Sequence, residues 1–285
     1  MSETATVTIV GAGGKMGSRL STNLLQHHHL RLNLVENSQS KRMEMEERGL
    51  IVSESDDAIP ASQFVILAVP DTLLGRVSEE IVPKMRPNAT YVILDPAAAY
   101  AGQLQTRDDI TTVVAHPCHP SVFGKYLTEE EHNDSFGGIA AEQDVVIALY
   151  AGDEMKFEAA SDIVRKMYAP VGRLHRTTVK QMAILEPTLT EVAVCMIGDF
   201  LTEVLRETVK CGVPEEAAKA MLYGHIQVAL SNALLGINPF SDAAYIAMEY
   251  GRKHIINTEW KKIFEDDVLD EVIGEMLKLG HPVRH

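Results

Sequence analysis

IVGAGGKMGSRL, residues 9–20, joins an apolar run to a helical one through Gly11, Gly13, Gly14 and Gly17. Glycines at such a junction let the backbone approach a pyrophosphate, whose charge is met by the N–H groups that open the following helix. The spacing reads two ways: G-x-G-x-x-G stretched by one residue, or G-x-x-G-x-x-G. A glycine turn alone also serves as a plain strand-to-helix connection. The residues that follow favour a dinucleotide. The next apolar run ends in LVE and puts Glu36 19 residues after Gly17, where a carboxylate accepts hydrogen bonds from the adenosine ribose and repels a 2′-phosphate. NAD is therefore expected over NADP, with Lys41 and Arg42 as nearby opposing charges. The expected cofactor contacts are Gly11, Ala12, Gly13, Gly14, Lys15, Met16 and Gly17 in the turn, then Glu36. Val69, Pro70 and Asp71 complete them where FVILAVPD ends and the nicotinamide ribose passes.

Outward from this turn, residues 1–172 alternate apolar runs with helical stretches: TVTIVGAG, LRLNLVE, FVILAVP, TYVILDP, TTVVAHP and DVVIALYAG, with helices near 15–28, 40–48, 72–85 and 155–168. Nearly unbroken apolar runs suit parallel strands covered on both faces. The fold class is α/β: an N-terminal Rossmann domain with a doubly wound parallel sheet, followed by an all-α C-terminal domain over 173–285. Residues 178–211 read as one long helix with a buried stripe at Met182, Leu185, Leu189, Val192 and Met196. Pro187 either kinks it or starts a new helix. Further helices are expected near 214–234, 241–250 and 259–278.

Composition excludes several classes. With 46% hydrophobic and 23% charged residues, the 285-residue chain has the balance of a globular protein. A formal net charge of −14 argues against nucleic acid as a partner, though a small anion needs only local positive groups. No run is long enough to cross a membrane. The segment MSETATVTIV shows neither a basic leader nor a cleavage site, so a cytoplasmic protein is expected. Cys118, Cys195 and Cys211 fit neither a disulfide framework nor a thiolate metal site and read as reduced thiols.

VVAHPCHP ends a strand and delivers His116 and His119 to the crevice edge. The prolines keep the segment extended, so the two rings point to opposite sides unless the chain turns. His116, nearer the strand end, is the better candidate acid or base, the alternative being a histidine held by backbone groups under a loop. Glu186 interrupts the stripe of the long helix, and a carboxylate there needs a proton, cation or metal unless it is a solvated helix-start acid. Glu191, five residues on, is rotated about 140° away on an α-helix. His116 and Glu186 are thus candidate ligands for a divalent metal, zinc or magnesium. Two ligands are few, and His225 is a possible third, although on an apolar helix it also reads as structural.

The glycine turn, FVILAVPDTLLG and a long helix preceded by a lysine together resemble the 6-phosphogluconate dehydrogenase-like, or 3-hydroxyacid dehydrogenase, superfamily. The resemblance implies a Rossmann domain and a helical domain that builds a homodimer. Lys180 stands where the superfamily has a catalytic lysine, but Ile184 replaces the asparagine usual four residues later. GAGGKMGSRLSTNL, LDPAAAY, AHPCHPSVF and LEPTLTEVA, taken in order, resemble more narrowly the NAD-dependent oxidoisomerases of branched sugar acids. That match implies a small anionic sugar-acid substrate, oxidation at its C2 hydroxyl and a 1,2 shift, with His116, Lys180 and Glu186 as catalytic residues. A simple 3-hydroxyacid or prephenate-type dehydrogenase, and a non-catalytic NAD-binding redox sensor, are the competing readings.

Overall fold

A computed structural model describes residues 5–283. In chain order the elements are β1 (Ala5–Val10), α1 (Lys15–Leu25), β2 (Leu30–Val35), α2 (Gln39–Glu47), α3 (Ser55–Ala61), β3 (Phe64–Leu67) and α4 (Asp71–Ile81). These are followed by β4 (Thr90–Ile93), α5 (Ala97–Tyr100), β5 (Thr111–Pro117), α6 (Glu129–Asn133), β6 (Gln143–Ala151), α7 (Glu154–Met167) and β7 (Val171–Arg176). The remainder is helical: α8 (Val179–Ala183), a π-helical segment (Ile184–Cys195), α9 (Met196–Lys210), α10 (Glu215–Leu235), α11 (Asp242–Ile255) and α12 (Asp266–Met276).

The sheet order is β2-β1-β3-β4-β5-β6-β7. All neighbours are parallel except β5 and β6. This is the Rossmann-like fold expected, with one correction: the sixth strand turns back and carries a seventh. β7 (VGRLHR) escapes a hydrophobicity reading because it is an edge strand, mostly half-buried or exposed, with only β6 as neighbour. The core follows from the unbroken apolar runs. Val7, Ile9, Ile66, Val92, Val113 and Ile147 are essentially inaccessible to solvent. Each contributes about 1.5–3 kcal/mol relative to exposure. Chain order reverses at β1, which lies between β2 and β3, so a crevice opens where their C-terminal ends diverge.

The chain divides into two compact units, 1–185 together with 270–285, and 186–269. The sequence reading put the change at 172/173. The first unit instead continues through β7 and α8 and takes back most of α12, whose Asp270 Oδ1 accepts a hydrogen bond of 2.8 Å from the Tyr100 hydroxyl. The second unit is helical. The helix expected over 178–211 is continuous, but Pro187 lies within a π-helical segment flanked by α8 and α9. Proline brings no N–H and its ring crowds the carbonyl four residues back, and the wider π turn accommodates both. The stripe expected to be buried is a second correction. Met182 is buried, but Leu189 and Met196 are about half exposed, at 45% and 53%. The expected helix over 259–278 is interrupted after a short 3-10 turn at Trp260–Phe264. Among the described residues, no helix is long and apolar enough to cross a membrane.

Candidate active site

The glycine turn resolves the ambiguous spacing. Gly11 leaves β1 with φ +82°, and a Cβ there would stand 2.4 Å from the Ala68 carbonyl oxygen at the end of β3. Gly14 is the N-cap of α1, and Gly17 packs so tightly that a Cβ would lie 2.2 Å from the Gly11 carbonyl oxygen. G-x-x-G-x-x-G is therefore the working register: turn, cap and packing. The backbone N–H groups of Gly11 and Ala12 donate to the Val35 carbonyl at 2.9 and 3.1 Å, tying the turn to the end of β2.

Glu36 follows directly and is almost fully buried. Its Oε2 accepts from the Gly13 N–H at 3.0 Å and its Oε1 from the Ser38 N–H at 2.8 Å. The carboxylate is thus fixed beside the turn with acceptor capacity to spare. Arg42, expected as an opposing charge, is engaged elsewhere: it donates to the Glu36 carbonyl and to the Glu54 carboxylate.

A cavity of about 650 Å³ opens along the strand ends. Gly11, Gly14, Lys15, Met16, Glu36, Val69, Pro70, Asp71 and His116 all line it, so most of the expected cofactor contacts meet in one place. Ala12, Gly13 and Gly17 shape the turn without lining the cavity. Volume, glycine cradle and positioned acid fit an extended dinucleotide: the pyrophosphate at the start of α1, which has no acidic residue in its first turn, and the ribose at Glu36. Sequence reasoning did not single out Asn37, Leu73, Arg76 or Phe136, which also line the cavity, as does Asp95 of the DPAAAY stretch. Phe136 arrives from the long connection between β5 and β6, where no strand-end signal marks it.

The two histidines also line this cavity. His119 adopts φ +59°, and that left-handed residue turns the chain so that both rings line the cavity, centres 6.4 Å apart. The turn overrides the extension expected from the prolines. His116 Nδ1 lies 2.8 Å from the Leu94 carbonyl and His119 Nδ1 lies 2.7 Å from the Phe136 carbonyl. A carbonyl oxygen can only accept, so each Nδ1 carries the hydrogen, and in the neutral ring each Nε2 is a bare acceptor. Burial pushes His116 down to about 4, the neighbouring His119 adding to the effect, so it is neutral at physiological pH. Burial likewise raises the Asp71 carboxyl at the start of α4.

The remaining expected groups are not among the residues that line this cavity. Lys180, in α8, is exposed and does not line the cavity. Glu186 is a buried residue of the second unit. In its π-helical segment residues i and i+5 are hydrogen-bonded neighbours, so Glu191 is not carried off to another face as on an α-helix. His225 is exposed on α10, with Nδ1 2.8 Å from the Met221 carbonyl. Among the described residues, no three His, Cys, Asp or Glu side chains converge as a metal-binding group.

Comparison with known proteins supports the same picture. Residues 2–145 match the family "Acetohydroxy acid isomeroreductase, NADPH-binding domain", and residues 125–277 match "Phosphogluconate dehydrogenase (decarboxylating) C-term". The chain is 50% identical over 278 residues to a D-apionate oxidoisomerase of Pectobacterium atrosepticum, covering 97% of each chain. It is 41% identical over 282 residues to one of Blautia hydrogenotrophica, covering 97% of this chain and 98% of the other. A crystal structure of a semialdehyde dehydrogenase NAD-binding protein from Cupriavidus necator, in complex with calcium and NAD, superposes with a TM-score of 0.90 at 38% identity. That match covers 95% of this chain and 99% of the other.

Proposed function

The chain belongs to the D-apionate oxidoisomerase family, and from that membership we propose that it oxidises D-apionate with NAD and rearranges the product in the same site. It is an NAD-dependent oxidoreductase. The observation that carries the reading is a match at 50% identity over nearly the whole chain, to a relative named for this reaction.

D-apionate has a carboxylate, a secondary hydroxyl at C2 and a tertiary alcohol at C3. NAD, when bound, accepts the hydride that leaves C2. The protein supplies the rest. Gly11, Gly14, Lys15 and Met16, with the start of α1, hold the pyrophosphate. Glu36 holds the adenosine ribose and selects NAD over NADP, while Val69, Pro70 and Asp71 flank the nicotinamide ribose. Ala12, Gly13 and Gly17 keep the turn in shape. His116 is the base for the C2 hydroxyl: the Leu94 carbonyl fixes its tautomer, and its lowered basicity keeps Nε2 unprotonated at neutral pH. The 2-oxo acid so formed has a tertiary alcohol beside its ketone. A shift of hydroxymethyl from C3 to C2 leaves the ketone at C3, giving 3-oxo-isoapionate.

Lys180 is assigned as an assisting cation or base, and Glu186 as the side chain through which a divalent cation enters the reaction. Such a cation would supply Lewis-acid stabilisation of the charge that develops on the substrate oxygens. The related Cupriavidus protein was crystallised in complex with calcium, a cation that takes oxygen ligands rather than imidazole. His116, expected from sequence as a co-ligand, is therefore assigned to proton transfer alone.

A homodimer completes the proposal. Met221, Tyr223, Leu234, Ile246, Met248 and Tyr250 of α10 and α11 are each at least half exposed. Monomeric proteins seldom leave so much apolar surface bare, and a second copy of this chain is the expected cover. The three free thiols suit a reducing, cytoplasmic setting. Purified protein given NAD and D-apionate should form NADH and run at the mass of a dimer in light scattering. No NADH with D-apionate, but NADH with a simple 3-hydroxyacid, would replace the proposal with a plain dehydrogenase.

A further inference from the structure

We infer that His119 is a second catalytic proton-transfer residue, serving the C3 hydroxyl during the carbon shift while His116 serves the C2 hydroxyl during oxidation. The inference rests on the activity proposed above. That activity poses a problem that one base does not solve. Oxidation removes a proton from the C2 oxygen. The shift that follows must remove one from the C3 oxygen and return one to C2.

The cavity holds two imidazoles prepared in the same way. Each donates through Nδ1 to a main-chain carbonyl, Leu94 for His116 and Phe136 for His119, at 2.8 and 2.7 Å. Each therefore leaves Nε2 as its only site for a substrate proton. The rings meet edge to face, 83° apart in plane with centres at 6.4 Å, and both stand at the one cavity.

The surroundings of His119 hold it in place. Its φ of +59° is a conformation that a non-glycine residue adopts at a cost, and such strain persists where the surroundings over-determine it. Its ring packs on Phe136 at 4.6 Å between centres. The segment bearing Phe136 is itself fastened. Asp134 Oδ2 accepts from the N–H groups of Ile139, Ala140 and Ala141 at 2.8–3.1 Å. Arg19 of α1 donates to the Gly137 carbonyl, and Asn23 donates to that of Gly138 at 3.3 Å. Three side chains, Asp134, Arg19 and Asn23, thus fasten the segment whose Phe136 carbonyl orients His119.

The balance closes over both steps. In the first, hydride leaves C2 for the nicotinamide, which is reduced, and the C2 hydroxyl proton passes to His116 Nε2. In the second, His119 Nε2 takes the C3 hydroxyl proton and the C3 oxygen becomes a ketone. The hydroxymethyl group migrates with its bonding pair from C3 to C2, and the former C2 carbonyl oxygen takes back the proton on His116. His119 then releases its proton to solvent, so one NADH and one proton accompany each rearranged product.

The test is His119→Asn, because asparagine tolerates a positive φ and can keep a donor towards the Phe136 carbonyl; His119→Gln serves as the second variant. NADH affinity by fluorescence titration, unchanged from wild type, identifies folded protein. Rapid-quench reactions with NAD and D-apionate then follow NADH and, by NMR, the carbon skeleton. We expect near-normal formation of the first equivalent of NADH, accumulation of the unrearranged 2-oxo acid, and loss of rearranged product by about 100-fold or more. His116→Gln should lose NADH formation itself. NADH and rearranged product in the wild-type ratio, or an equal loss of both, would overturn the assignment. A wild-type enzyme that makes NADH but never rearranges its product would instead refute the activity on which the assignment rests.

Discussion

Glu36→Gln perturbs the cofactor end of the site without changing its size. The two carboxylate oxygens accept from the N–H groups of Gly13 and Ser38 at 3.0 and 2.8 Å, inside a residue only 7% exposed. An amide has a single acceptor oxygen, so whichever way it turns, one N–H faces an NH2 group. A hydrogen bond to a charged acceptor contributes about 1.5–3 kcal/mol, so the apoprotein should lose about 2 kcal/mol. For a chain of this size that is a fall of about 4–8 °C in Tm. NAD should bind about tenfold more weakly, as the ribose keeps one good acceptor rather than two. NADP should lose less or gain, because the charge that repels its 2′-phosphate is gone. Thermal melts with and without cofactor, and fluorescence titrations with NADH and NADPH, measure all three. An unchanged Tm together with equal losses for both cofactors would refute this reading of Glu36.

Gly17→Ala sets a methyl 2.2 Å from the Gly11 carbonyl oxygen; α1 must shift, and the expected result is loss of NAD binding measured by calorimetry in protein that still shows native circular dichroism. His116 must be neutral to act, so kcat/KM should stay level from pH 7 to about 5 and fall as pH drops towards about 4. Over the same range the unfolded chain, titrating near 6.5, takes up a proton that the folded chain refuses. Stability is therefore lost as pH falls, by up to about 3 kcal/mol, and urea melts of His116→Gln should lack that component. Glu186→Gln should abolish turnover with NAD affinity nearly intact, and EDTA should reproduce the loss in the wild type. Full turnover in either case would remove Glu186 and its cation from the mechanism.

The fold was legible where physics is local. Val65, Ile66 and Leu67 in β3, like Tyr91, Val92 and Ile93 in β4, must be buried on both sides, and an unbroken apolar run records that directly. Glu36 was legible for the same reason: the acid sits one residue beyond a strand whose end is unmistakable. β7 was not, because an edge strand carries only half the burial. Nor was the left-handed turn at His119, which depends on Phe136 and on the loop from Asp134 to Ala141 rather than on the prolines beside it. The periodic stripe of Leu189, Val192 and Met196 correctly marked a helix but not its burial. Periodicity shows that a face is apolar without showing what covers it.

The most direct test of the central claim is the carbon skeleton of the product. D-apionate labelled with carbon-13 at a hydroxymethyl group, incubated with NAD and the purified protein, should give NADH and a product whose label has moved from a carbon bonded to C3 to one bonded to C2 in a fraction of molecules. The ketone should stand at C3. NADH accompanied by an unrearranged 2-oxo acid, with every label still on C3, would contradict the account.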